Sequence, residues 1–178
     1  MFDVHATEEE DKLVLLSAID RLGGCTEEQL MRFAVETGLM SQFPFSIALS
    51  SLKEDAFVRT SHRLEGELLH LTPEGRQSVE LFASRIRASR QEKLDLHCAA
   101  WRRRVLDELS TPAQYAQSGN GYAVTLRALE SGEEIFRITL NTATKAQAKR
   151  FCERWPMEAA AIYQSVMERL GETQSGEA

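Results

Sequence analysis

Apolar residues recur at helical spacing through Leu13, Leu16, Ile19 and Leu22, with Val14 and Leu15 alongside, and this predicts a first helix over residues 8–22. Glu8, Glu9, Glu10 and Asp11 crowd its first turn, where the helix dipole favours negative charge, and Gly23-Gly24 ends it. Thr26-Glu27-Glu28-Gln29 reads as a capping box for a second helix carrying Leu30, Met31, Phe33, Ala34 and Val35, which Gly38 stops. A turn over Leu39 to Phe43 follows. Pro44 then suits the first turn of a third helix, because its missing N–H would find no helical partner there. Phe45, Ala48, Leu49 and Leu52 line one side of that helix, which ends near residues 53–55. The period then drops to two. Residues 57–60 and 67–71 read as strands of a hairpin around a polar loop, 61–66.

Thr72-Pro73-Glu74-Gly75 opens a fourth helix, with Thr72 as cap and an apolar stripe of Val79, Leu81, Phe82 and Ile86. Ser89-Arg90-Gln91-Glu92 is a further capping box, so a fifth helix is expected to start there and to run to Thr111-Pro112. Residues 122–129 and 134–140 alternate as strands around a turn at 131–133, and residues 114–117 add a third strand. Thr144-Lys145-Ala146-Gln147 caps a last helix that covers this sheet. Pro156 is expected to kink or restart that helix near Trp155. Residues 1–7 and the polar tail from Gly171 are expected to be loose.

The order of elements predicts an α+β protein. It divides into an N-terminal winged helix-turn-helix over residues 1–72, a helical connector over 73–112 that offers dimerisation helices, and a small antiparallel β-sheet packed against a long helix over 113–178.

Charge changes what this fold is expected to touch. The chain of 178 residues carries −6 overall, but residues 1–72 hold 13 acidic against 6 basic side chains, a net −7. A nucleic-acid reader ordinarily shows a basic face, so the acidic balance of this segment opposes the function that its element order suggests. The four acids in the first turn of helix one have a structural explanation of their own, which moves part of that charge away from a binding face.

In a winged helix-turn-helix the third helix enters the major groove and the wing touches the backbone. With Phe45, Ala48, Leu49 and Leu52 inward, Gln42, Ser46, Ile47, Ser50 and Ser51 face outward, and Lys53 lies near the helix end. Serine hydroxyls contact phosphates and bases but discriminate weakly, and no arginine projects from this helix to read a guanine. Arg59, His62 and Arg63 on the wing are candidates to neutralise phosphates, and Arg32 on helix two is a further candidate. The preferred reading is a cytoplasmic DNA-binding transcriptional regulator, homodimeric, with double-stranded DNA as partner. The alternative is a non-enzymatic module that uses the winged helix as a scaffold for protein contact.

Other chemistry is thinly represented. His5, His62, His70 and His97 lack ligand spacing, and there is no HExxH, nucleophile elbow or phosphate-cradling loop. His97-Cys98 are adjacent on a helix, so their side chains diverge. Cys25, Cys98 and Cys152 are odd in number and far apart, which predicts reduced thiols rather than a disulfide or zinc site. No catalytic residue, metal or cofactor is expected. Arg102-Arg103-Arg104 reads as a solvated helical face, since three consecutive residues spread around the axis. No signal peptide or membrane-spanning run is expected. No residue supports a small-molecule effector site at this level.

The chain resembles the winged-helix family catalogued as domain of unknown function 4364. The resemblance lies in residues 12–16, Thr26-Glu27-Glu28-Gln29-Leu30, Leu49-Ser50-Ser51-Leu52 with Phe57-Val58, and Leu71-Thr72-Pro73-Glu74-Gly75. It continues through residues 81–86, residues 148–155 with their Cys152-x-x-Trp155, and Ile162-Tyr163. It spans roughly residues 10–170 and implies a winged-helix fold with a regulatory role, but no ligand, operator or catalytic residue. Two positions depart from the family pattern. Arg87 stands where a proline is usual, which would allow one continuous helix across residues 73–109, and Pro156 stands where one is not.

Overall fold

The computed structural model describes residues 7–63 and 66–171. Most of both expected loose ends, residues 1–6 with His5 and residues 172–178, and the hairpin tip at residues 64–65 lie outside the described residues. The described chain is a mixed α+β fold of six α-helices and two small antiparallel sheets. It divides into two compact units, residues 1–106 and 107–178, with the boundary inside one helix. No helix among the described residues is long and apolar enough to cross a membrane.

The first unit begins with three helices, α1 (Glu8–Leu22), α2 (Glu27–Glu36) and α3 (Gln42–Glu54). Thr7 caps α1 by accepting the Glu10 N–H at 3.2 Å, and Gly23 closes it in the left-handed region at φ 79°. The Thr26–Gln29 capping box forms in both directions. α3 starts earlier than Pro44 suggested, so Phe43 belongs to the helix and not to the preceding turn. Phe45, Ala48, Leu49 and Leu52 point inward and are buried with Leu15, Ile19, Leu22, Leu30 and Phe33. Truncating one such leucine to alanine costs about 2–5 kcal/mol, the transfer term plus the cavity it leaves.

The hairpin β1 (Val58–Arg63) and β2 (Gly66–Leu71) pairs Val58 with Leu71 and Arg63 with Gly66. An antiparallel bridge from Cys25 to Leu69 ties the hairpin to the α1–α2 connection, with the Leu69 N–H donating to the Cys25 carbonyl at 2.8 Å. α4 (Pro73–Phe82) leaves the hairpin at a tight junction. The Thr72 hydroxyl accepts the Gly75 N–H at 3.1 Å and donates to the Ala56 carbonyl at 2.8 Å. A Cβ at position 75 would overlap the Phe57 carbonyl oxygen, so only glycine fits this approach.

The continuous helix that Arg87 would allow does not form. α4 stops at Phe82, a single 3₁₀ turn occupies Ala83–Arg85, and α5 runs over Ala88–Ser110. α5 starts one residue before Ser89, and the Arg87 carbonyl accepts the Gln91 N–H in the place expected of a cap at Ser89. The break has a physical cause: the Arg87 backbone N–H donates to the Glu10 carboxylate at 3.1 Å instead of continuing a helical ladder.

The second unit is a three-stranded sheet in the order β3 (Ala113–Ser118), β4 (Gly121–Glu130), β5 (Glu133–Thr142), covered by α6 (Lys145–Gly171). Val124, Leu126 and Ala128 alternate toward α6 and pack with Ala148, Trp155 and Ala159. The Trp155 indole N–H reaches the Arg127 carbonyl at 2.7 Å, and Phe136 lies between the rings of Trp155 and Tyr163. α6 passes through Pro156 as one helix and does not restart at Trp155.

Candidate nucleic-acid interface

The outward side of α3 is built by elimination: the residues not consumed by the core face solvent. Gln42, Ser46, Ile47 and Ser50 are exposed and Ser51 is half-buried. Phe43, at the second position of α3, joins them at 75% exposed. Its signal was present at the i, i+4 spacing to Ile47, itself 43% exposed. The face is therefore apolar at its N-terminal half and hydroxyl-bearing along its length.

The serine hydroxyls of this face are hydrogen-bonded within the unit. Ser46 Oγ donates to the Gln42 carbonyl at 3.0 Å, Ser50 Oγ to Glu54 at 3.1 Å and Ser51 Oγ to Asp55 at 3.2 Å. Lys53 Nζ lies 2.6 Å from Glu27, so the one cation on the predicted reading helix is neutralised from α2. Glu27, Glu28 and Glu67, with Lys53 and Thr60, line a cleft of about 270 Å³ between the start of α2, the end of α3 and the hairpin.

The hairpin separates its cations. Arg59 is exposed and makes no ion pair or side-chain hydrogen bond among the described residues. His62 stands on the opposite pleat from Arg59 and lies 3.2 Å from Glu67. Arg63 is the last residue of β1, and its side chain lies outside what the structure describes. Arg32 is half-buried on α2 with its Nε enclosed. Of the ten predicted residues, Gln42, Ser46, Ile47, Ser50, Ser51 and Lys53 share α3, Arg59, His62 and Arg63 share β1, and Arg32 stands apart on α2.

Four of the thirteen acids of residues 1–72 meet arginines from elsewhere in the unit. Glu10 and Asp11 are buried, bonded to Arg87 (2.9 Å) and Arg90 respectively, and Arg90 also donates to the Leu39 carbonyl at 2.8 Å. Burial alone would raise the Glu10 pKa. Hydrogen bonds from the Arg87 side chain and backbone, with the charges of Arg90 and Arg87, outweigh it and hold the carboxyl below its ordinary value. Asp20 pairs with Arg76 at 2.9 Å and Glu36 lies 3.4 Å from Arg104.

Arg104 also stacks over the Trp101 ring, which packs edge-on against Phe33, so part of the arginine run is anchored on the helix surface. Cys25 and Cys98 are buried thiols, pushed up to about 12 and about 11, with burial the first cause in each, so both stay protonated at neutral pH. No group of three or more His, Cys, Asp or Glu among the described residues is arranged to hold a metal.

The family model described as Domain of unknown function (DUF4364) matches residues 11–170, and the chain belongs to that family. No curated protein and no solved structure matches the chain.

Proposed function

With membership of the DUF4364 family as the starting point, we propose that the first unit is a winged helix-turn-helix and that the protein is a DNA-binding transcriptional regulator acting as a homodimer. The observation that carries this reading is the pairing of an exposed α3 face with an adjoining hairpin whose Arg59 makes no ion pair among the described residues. The Cys25–Leu69 bridge supports the winged arrangement, because it ties the hairpin to the strand-like link between α1 and α2. α3 would lie in the major groove, with Phe43 and Ile47 against thymine methyls and the serine hydroxyls on phosphates, and Arg59 and Arg63 would hold the backbone. Such a face binds with weak base discrimination, and its affinity is mainly electrostatic.

A mobility-shift titration with a random-sequence duplex at low salt tests this. The wild-type chain is expected to shift the duplex, and Arg59→Ala with Arg63→Ala to weaken binding to every sequence and reduce the salt slope by about 1–2. Absence of any shift at low salt overturns it. One observation favours a second reading, protein contact: Glu27, Glu28 and Glu67 wall the cleft beside α3 and suit a basic side chain of a partner better than a phosphate.

A further inference from the structure

α6 lies more over β4 and β3 than over β5, and this leaves a groove along the second sheet. Leu140 on β5 is the direct cross-strand partner of Val124, so both side chains stand on the face toward α6. Val124 is fully buried, yet Leu140 is 38% exposed. The cavity beside it has a volume of about 670 Å³, inside the size range of small-molecule sites. Its floor is Leu126, Leu140, Phe151, Trp155 and Ile162.

The rim carries the chemistry. Arg150 and Arg154 project one turn apart from α6. Arg154 is neutralised by Glu158 at 2.7 Å, whereas Arg150 has no ion pair or side-chain hydrogen bond among the described residues. Thr144 and Gln147 add a hydroxyl and an amide at the N-terminal turn of the same helix, where the dipole also favours negative charge. An apolar trough ending on one uncompensated guanidinium is complementary to a molecule with an apolar body and a single anionic end.

We propose that the groove between α6 and the β4–β5 ribbon binds a small amphipathic monocarboxylate, its hydrocarbon on Leu126, Leu140 and Phe151 and its carboxylate on Arg150. The site belongs to the second unit and is independent of what α3 contacts. Ligand occupancy would complete the burial of Leu140 and give the protein a chemical input.

Calorimetric titration of the full chain with octanoate and with octan-1-ol tests the site, since the two probes share a chain length and differ in charge. Octanoate is expected to bind once per chain and about tenfold tighter than the alcohol, as a charge-assisted hydrogen bond would give. Arg150→Gln should bring octanoate down to the level of octan-1-ol and leave the alcohol unchanged. Leu140→Gln should weaken both probes, and Lys149→Gln, on the neighbouring exposed position, should alter neither. Three results would overturn the proposal: no saturable octanoate binding, equal affinity for the two probes, or insensitivity of octanoate to Arg150→Gln. Sedimentation in which Leu140→Gln dissociates a dimer would also overturn it, by seating a second copy in the groove.

Discussion

The first turn of α1 and the outward face of α3 use charge in opposite ways. At α1, Glu10 and Asp11 are buried and meet Arg87 and Arg90 across the unit. At α3, Lys53, Ser50 and Ser51 are solvent-facing or half-buried and meet acids on α2, at the end of α3 or just beyond it. The difference teaches that the charge of a segment is not the charge of its surface. The −7 of residues 1–72 includes carboxylates enclosed by arginines from residues 73–106, so among the described side chains the charge near α3 comes from a few local groups, Glu27, Glu54, Asp55 and Glu67 against Lys53 and Arg59. It also teaches where stability resides: enclosed pairs lose heavily when half of one is removed, and exposed pairs lose little.

The largest expected effect breaks the enclosed side. Arg90→Met should destabilise the first unit by about 3–5 kcal/mol in urea unfolding, because Asp11 and the Leu39 carbonyl would stay buried without their donor. Adding Asp11→Leu to Arg90→Met should recover much of that loss, since no uncompensated charge then remains. Recovery would separate the cost of an orphaned carboxylate from the value of the pair.

Acid titration sharpens the same comparison at smaller amplitude. The folded-state pKa of Glu10 lies below its ordinary value of 4.5. Its contribution is therefore fully present above that value and is lost as pH falls through the folded-state pKa. Stability measured from pH 6 downward should fall in that window, and Glu10→Gln should flatten that part of the acid limb while lowering stability at neutral pH. A variant with an unchanged acid limb would remove Glu10 from the enclosed network.

The smallest effect belongs to α3. Lys53→Gln should change unfolding free energy by less than about 1 kcal/mol, as expected of an exposed ion pair. A loss as large as that of Arg90→Met would erase the distinction between the two faces.

Local features of the fold were legible in the sequence because short-range chemistry writes them. Thr26 and Thr72 cap the helices they precede, Gly23 closes α1, and Phe45, Ala48, Leu49 and Leu52 seat α3. Features made by residues distant in sequence were not legible. The break between α4 and α5 depends on Glu10 capturing the Arg87 N–H from 77 residues away, so a helix that residues 73–109 alone would permit is interrupted. Lys53 reads as a free cation until Glu27 is brought beside it from 26 residues away. The groove of the second unit had no sequence signature, since it arises from how far α6 reaches across the sheet. Its one trace is Leu140 alternating in phase with residues that are covered.

Amide chemical-shift mapping of the labelled chain against a random-sequence duplex at low salt tests most directly that the α3–hairpin side is the ligand face. The expected result is that Ser46, Ile47, Ser50 and Arg59 shift together and saturably, while the first turn of α1 stays unmoved. Shifts that avoid these four residues, or a spectrum indifferent to DNA, would contradict it.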